Sequence, residues 1–109
     1  MEISTRTSND THIVAIAGSM DSTTSPEAQK ALDGVLAVAR KVALDFTKLD
    51  YISSAGLRVL LGAAKTLLAS GGSLGIFGLN PSVREVFEIS GFSAILAVYP
   101  SEAEALAGG

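Results

Sequence analysis

Residues 49–61 read LDYISSAGLRVLL. They follow a short apolar run and open the longest helical pattern of the chain, so the hydroxyls of Ser53 and Ser54 lie where a helix begins. The first N–H groups of a helix have no acceptor within the helix, and its dipole adds about half a positive charge there. Such an end binds anions. A serine at this point either caps the helix or carries a phosphate.

Capping and phosphorylation can both occur here, because the loop contains two serines. Serine is among the best capping residues, so a plain cap is the simplest interpretation of either hydroxyl. A cap needs one hydroxyl, however, and this loop supplies two, followed by the small residues Ala55 and Gly56. We therefore expect one serine to cap the helix, and we expect the other to be open to a partner.

Residues 45–61 closely resemble the signature of the STAS family, the bacterial anti-sigma factor antagonists. In that family the loop before the second helix usually reads Asp-Ser-Ser/Ala/Thr-Gly-Leu, and its first serine is phosphorylated. Alignment on Gly56 and Leu57 puts Ser54 at the phosphorylated position. Ser53 then stands where many members carry Asp, and it is the second choice for the modified residue.

Two further segments extend the resemblance over nearly the whole chain. Residues 18–21 read GSMD and are similar to the family's Gly-x-Leu-Asp strand end, whose aspartate, here Asp21, lies near the phosphorylated loop. Residues 81–92 are similar to the family's Pro-x-Val-x-x-Val-Phe helix, which closes on Ser-Gly-Phe. The resemblance implies a single STAS domain over residues 1–109.

The composition excludes several other classes of protein. A chain of 109 residues with 48% hydrophobic and 17% charged residues suits one compact domain. Its net charge is −3 and its basic residues are scattered, which argues against direct nucleic-acid binding. The absence of cysteine excludes disulfides and thiolate metal sites, and we expect neither a metal nor a cofactor. No run approaches the ~20 apolar residues of a membrane span, so we expect a cytoplasmic protein without a membrane partner.

The order of apolar patterns and turn signals predicts an α/β fold. Strands alternate with helices after an initial hairpin, which implies a mixed, mainly parallel sheet of about five strands covered by about four helices. Helices are expected to begin at Ser25, which we interpret as a cap, after the serine loop, at Asn80-Pro81 and after Ser101. The strands are predicted at residues 2–7, 11–17, 41–46, 73–79 and 94–99, with a polar turn over 18–24.

The helix after the serine loop has two unlike sides. One apolar stripe is expected to face the core, and it comprises Leu57, Leu60, Leu61, Ala64, Leu67 and Leu68. The other side is nearly flat and carries two cations, which suits a docked partner protein, although a solvated face explains it too. The predicted partner-binding residues are Asp21, Ser53, Ser54, Ala55, Gly56, Arg58, Gly62 and Lys65.

The resemblance implies a regulatory role in a partner-switching circuit. The unphosphorylated protein would bind an anti-sigma factor that is a serine protein kinase, and so release a sigma factor. Phosphorylation of Ser54 would end that complex, and a serine phosphatase would reset the residue. Which sigma factor is controlled is not encoded in the motif.

Two alternatives stay open at this point. The same fold serves as a subunit acting on transporters, in stressosome-like assemblies or in biofilm control. A hydrolase or transferase with a serine nucleophile fits poorly, because the single histidine, His12, lies in a predicted strand and Ile52 breaks the Gly-x-Ser-x-Gly pattern around Ser54. We therefore expect a binding module and not an enzyme.

Overall fold

The computed structural model describes residues 1–92 and 96–108. The described elements are, in chain order, β1 (Glu2–Ser8), β2 (Thr11–Met20), α1 (Ser25–Leu36), β3 (Lys41–Asp45), β4 (Leu49–Ile52), α2 (Ser54–Ala69), β5 (Ser73–Phe77), α3 (Pro81–Ser90), β6 (Ala97–Tyr99) and α4 (Glu102–Gly108). The predicted start of the last strand, at residues 94 and 95, lies outside the described residues.

The strands form one mixed sheet in the order β1-β2-β3-β5-β6, and β4 pairs with β2 off this path. β1 and β2 make the antiparallel hairpin, whereas the β2–β3, β3–β5, β5–β6 and β2–β4 pairs are parallel. The predicted α/β class, the hairpin and the mainly parallel sheet are confirmed.

The strand β4 was missed by sequence reasoning, and the predicted turn over 18–24 is partly wrong for the same reason. β2 runs on to Met20, and after an irregularity at Gly18/Ser19 its last residues pair with β4. β4 has only four residues, of which Asp50 and Tyr51 are exposed. Such a short, half-polar strand gives no periodic signal in the sequence. It forms because it pairs with the end of β2, about 30 residues upstream in the chain.

The core lies mainly between the sheet and α1, α2 and α3. Its largest fully buried side chains include Phe46, Phe87, Leu32, Leu60 and Ile76. A smaller cluster on the other face joins Ile13, Ala43 and Phe77 to Ala105 of α4. The residues of β3 therefore pack alternately against both layers, as the apolar run over 41–46 predicted.

The apolar stripe of α2 needs one correction. Leu57, Leu60, Ala64 and Leu67 are buried and Leu61 is partly buried, but Leu68 is 63% exposed. Val59 and Ala63 are buried instead, since α1 packs along that side of α2 and Leu32 and Leu36 lie opposite them. A helix that touches both a sheet and a neighbouring helix buries a wider sector than one stripe predicts.

The helix boundaries confirm most of the predicted signals. Asn80 Oδ1 accepts a hydrogen bond from Val83 N at 2.8 Å, and α3 ends at Gly91 with a left-handed φ of 78°. Ser101 Oγ accepts from Glu104 N at 3.3 Å at the start of α4. The capping role predicted for Ser25 is wrong, because Ser25 lies inside α1 and Thr24 occupies the capping position.

Candidate functional site

The start of α2 lies at the carboxyl ends of β2 and β4, and Ser53 is its capping residue. Ser53 has an extended backbone, and its Oγ accepts a hydrogen bond from Gly56 N at 3.4 Å. Its own N–H donates to the carbonyl of Met20 at 2.8 Å, and its carbonyl accepts from Leu57 N at 3.0 Å. Ser53 is therefore fixed in place by bonds to β2 and to the first turn of α2.

Ser54 differs from Ser53 in its exposure and in the hydrogen bonding of its hydroxyl. It is the first residue of α2 and is exposed, and none of the described residues hydrogen-bonds its hydroxyl. The first turn contains no acidic side chain that would repel an anion. The open hydroxyl thus stands at the positive end of a 16-residue helix.

Gly56 acts through its lack of a side chain. It is buried, and a Cβ at this position would lie 2.7 Å from Ile52 Cγ1, 3.0 Å from Met20 Cβ and 3.1 Å from the Met20 carbonyl oxygen. Glycine therefore lets the first turn of α2 press against the ends of β2 and β4. The structure shows this packing role of Gly56, and its predicted place among the partner-binding residues stays a prediction.

Asp21 shapes the adjoining turn. Its Oδ1 accepts hydrogen bonds from Thr24 N at 3.0 Å and from Thr23 N at 2.9 Å, and these bonds lower the pKa of the carboxyl group. Thr24 Oγ1 accepts from Asp21 N at 2.9 Å and donates to the carbonyl of Ser19 at 2.7 Å. Because Asp21 follows Met20, which is bonded to Ser53, this turn and the serine loop are held side by side.

The remaining predicted residues lie along α2. Arg58, Gly62 and Lys65 are exposed and Ala55 is partly buried. Lys65 is eleven residues from Ser54, roughly 16 Å along the helix axis. The predicted residues thus form a cluster around Ser54 that continues as a strip along α2.

Two features near Ser54 were not anticipated. Tyr51 is 53% exposed on β4, three residues before Ser54. A groove between α1 and α2 is lined in part by Ala55 and Arg58. The exposure of Tyr51 depends on the strand β4, which the sequence did not reveal, and the groove depends on how two separate helices pack.

A known family profile covers nearly the whole chain. The profile of the STAS domain matches residues 2–105. The chain belongs to the STAS-domain family.

Two known proteins are similar to this chain in sequence. The STAS chain is 56% identical over 68 residues to BtrV of Bordetella bronchiseptica, and the alignment covers 62% of this chain and 59% of BtrV. It is 36% identical over 93 residues to the anti-sigma-B factor antagonist of Listeria monocytogenes, with 84% of this chain and 81% of that protein covered.

Solved structures confirm the STAS fold. An anti-sigma factor antagonist from Mycobacterium paratuberculosis superposes with a TM-score of 0.90 at 21% identity, covering 98% of this chain and 92% of the other. The Bacillus cell fate determinant SpoIIAA in its phosphorylated form gives a TM-score of 0.73 at 19% identity, covering 96% of each chain.

The single histidine of this STAS domain lies at the far end of β2 from the serine loop. His12 lies on β2 eight residues before Met20, roughly 26 Å along the strand, and so is far from Ser53 and Ser54. Across residues 1–92 and 96–108, no three His, Cys, Asp or Glu side chains are grouped as a metal site would require. His12 is thus not placed to act as a base on either serine hydroxyl.

None of the helices that the structure describes in this STAS domain is long and apolar enough to cross a membrane.

Proposed function

We propose that this STAS domain is an anti-sigma factor antagonist in a partner-switching circuit. In the unphosphorylated state it binds an anti-sigma factor with serine kinase activity, and a sigma factor is released. Phosphorylation of Ser54 ends the complex. The observation that carries this proposal is the division of labour at the start of α2, where Ser53 supplies the cap and leaves the exposed hydroxyl of Ser54 without a partner among the described residues.

The domain itself tolerates a phosphate on Ser54. A phosphate adds about −1.5 to −2 charges and three strong acceptor oxygens. At this position it meets the positive end of α2 and no acidic side chain in the first turn. The hydrogen bonds that hold Ser53 to Met20 and Gly56 do not involve the Ser54 hydroxyl, so they persist after modification.

A docked partner protein does not tolerate a phosphate on Ser54. The partner surface comprises Ser54, Ala55, Arg58, Gly62 and Lys65, while Asp21, Ser53 and Gly56 hold its shape. Transferring the phosphate dianion from water into an interface where the partner supplies no compensating group costs several kcal/mol. A loss of about 3 kcal/mol already weakens binding by more than about a hundredfold, so the complex fails without a change of fold.

The chemistry of the circuit belongs to the partners. The kinase supplies nucleotide and magnesium, and a serine phosphatase removes the phosphate. The domain is a regulated binding module, which fits the name of the Listeria relative and the phosphorylated form in which SpoIIAA was solved. We further propose that residues 1–109 act as a single domain in the cytoplasm.

Binding measurements on four proteins test this proposal. With the serine-kinase anti-sigma factor encoded in the same genome, Ser54→Ala should bind like the wild type and should stay bound in the presence of ATP and magnesium. Ser54→Asp should weaken binding, although by less than phosphate does because Asp carries less charge. Ser82→Asp is the matched control, since Ser82 is an exposed serine in the first turn of α3. Equal affinity of Ser54→Asp and Ser82→Asp would refute the proposal.

A further inference from the structure

A groove lies between the amino-terminal parts of α1 and α2, next to the serine loop. Its walls combine apolar side chains with two cations. The lining residues include Ser25, Pro26, Lys30, Ala55, Arg58 and Val59. The exposed guanidinium-bearing residue Arg58 is thus shared between this groove and the exposed side of α2 that begins at Ser54.

The charge of the groove is opposite to that of the whole chain. Lys30 and Arg58 line it together with one carboxylate, Asp33, whereas the chain carries a net charge of −3. One ion pair is present among residues 1–92 and 96–108, and it joins Arg6 to Glu102. Neither Lys30 nor Arg58 is therefore ion-paired with a described carboxylate. Two cations against one carboxylate leave the lining with one excess positive charge, which beside apolar walls suits an acidic group of a partner.

A buried serine hydroxyl lies in the same wall of the groove. Ser25 is only 4% exposed, and its Oγ has no hydrogen-bond partner among the described residues. Buried polar groups are nearly always bonded, so an unbonded hydroxyl calls for an explanation. Because Ser25 is one of the residues that line the groove, its hydroxyl is a candidate donor to an oxygen bound there.

We propose that this groove receives an acidic side chain of the anti-sigma factor, whose carboxylate pairs with Arg58 and Lys30 and accepts a hydrogen bond from Ser25. The inference rests on the proposed function and adds the chemistry of the contact. A guanidinium binds a carboxylate through two parallel hydrogen bonds, which fixes the orientation of the partner as well as its charge. Pro26, Ala55 and Val59 supply apolar contacts to the stem of that side chain.

The same arrangement couples the groove to Ser54. Residues four apart on a helix are neighbours, so a phosphate on Ser54 lies within reach of Arg58. The phosphate draws the Arg58 guanidinium out of the groove and also repels the partner's carboxylate. Phosphorylation therefore weakens the groove contact in addition to its effect at the serine loop.

Charge reversal tests the groove. We expect Arg58→Glu and Lys30→Glu to weaken binding of the unphosphorylated chain to the anti-sigma factor at least about tenfold, with a loss that shrinks at high salt. Arg84→Glu is the control, since Arg84 is an exposed cation on α3, and it should change the affinity by no more than about twofold. Circular dichroism checks that α1 and α2 remain folded. A charge-reversal scan of the partner should find one Asp→Lys or Glu→Lys change that restores binding to Arg58→Glu.

The outcomes separate this inference from the proposed function. If the wild type binds, Ser54→Asp does not and Lys30→Glu binds normally, the groove inference is overturned alone, because Lys30 belongs to the groove and not to the partner surface on α2. It is also overturned alone if Arg84→Glu loses as much affinity as Arg58→Glu. If the wild type does not bind, or if Ser54→Asp binds normally, the proposed function fails and the groove inference fails with it.

The coupling has its own test, which needs no partner. Phosphoserine is incorporated at position 54 during synthesis, and phosphorus NMR follows the second pKa of the phosphate in the wild type and in Arg58→Gln. Pairing with Arg58 stabilises the dianion, so this pKa should be higher in Arg58→Gln. Identical pKa values in the two proteins would overturn the coupling.

Discussion

The starts of α2 and α3 share one local plan and differ in their surroundings. Ser53 and Asn80 both have an extended backbone, and both accept a hydrogen bond from the N–H three residues further on. Each helix also has an exposed serine in its first turn, Ser54 in α2 and Ser82 in α3. Capping chemistry alone would therefore mark both helices as equivalent candidates for modification.

The two caps differ in strength and in their neighbours. The Asn80 bond to Val83 N is 2.8 Å long, and Asn80 Nδ2 also donates to the carbonyl of Leu49 at 3.0 Å, whereas the Ser53 bond is 3.4 Å long. The start of α3 is built mainly to hold its helix on β4. The start of α2 has a weaker cap, a glycine that allows close packing and an adjoining cationic groove. The surroundings, and not the cap, distinguish a candidate regulatory site.

The largest effect on stability is expected at Gly56. A Cβ at Gly56 would crowd a backbone oxygen as well as two side-chain atoms, so overpacking should cost about 3 kcal/mol, of which the better helix propensity of alanine returns about 1 kcal/mol; Gly56→Ala should therefore lower the free energy of unfolding by about 2 kcal/mol. A Cβ at Gly62, by contrast, would meet nothing within 4 Å. Gly62→Ala should therefore raise stability by about 0.5–1 kcal/mol. Urea denaturation measures both, and equal changes would show that packing at Gly56 does not set the position of α2.

The two caps provide the next largest contrast. Asn80→Ala removes the cap of α3 and the bond to Leu49, so we expect a loss of about 1–2 kcal/mol in the free energy of unfolding. Ser53→Ala removes one long hydrogen bond and should cost about 0.5 kcal/mol. Urea denaturation of Asn80→Ala and Ser53→Ala shows which variant loses more of the free energy of unfolding. A larger loss for Ser53→Ala would contradict the view that the start of α2 is the weaker cap.

The smallest effect is expected from the turn at Asp21. The hydrogen bonds from Thr24 and Thr23 lower the pKa of the Asp21 carboxyl in the folded state. As the pH falls below about 4, the unfolded chain takes up this proton first, so the stability supplied by the charged turn is present at neutral pH and lost in acid. The stability difference between the wild type and Asp21→Asn should therefore shrink as the pH is lowered from 7 to 3. A difference independent of pH would rule out this role of the charge.

Local signals predicted much of this fold. The bounds of α3 followed from Asn80-Pro81 at one end and Gly91 at the other, because each residue acts on its own backbone. The buried strand over 41–46 followed from its short apolar centre, Val42-Ala43-Leu44, which lies between Lys41 and Asp45. The α/β class followed from the alternation of such elements.

Features that depend on distant parts of the chain were not predictable in the same way. β4 exists because residues 49–52 pair with the end of β2, and the groove exists because α1 lies against Val59 of α2. At the serine loop the sequence left open which hydroxyl caps the helix. The structure gives the cap to Ser53 through its bond to Gly56, which is a matter of backbone conformation and not of residue type.

The most direct test of the central claim is intact-mass spectrometry with site mapping. The chain is incubated with ATP, magnesium and the candidate serine kinase encoded in the same genome, beside Ser54→Ala and Ser53→Ala. We predict a single added phosphate on Ser54, which appears in the wild type and in Ser53→Ala and is absent from Ser54→Ala. Phosphate on Ser53 or on Ser82, or no phosphate with any candidate kinase, would contradict the claim that the open hydroxyl at the start of α2 is the regulatory site.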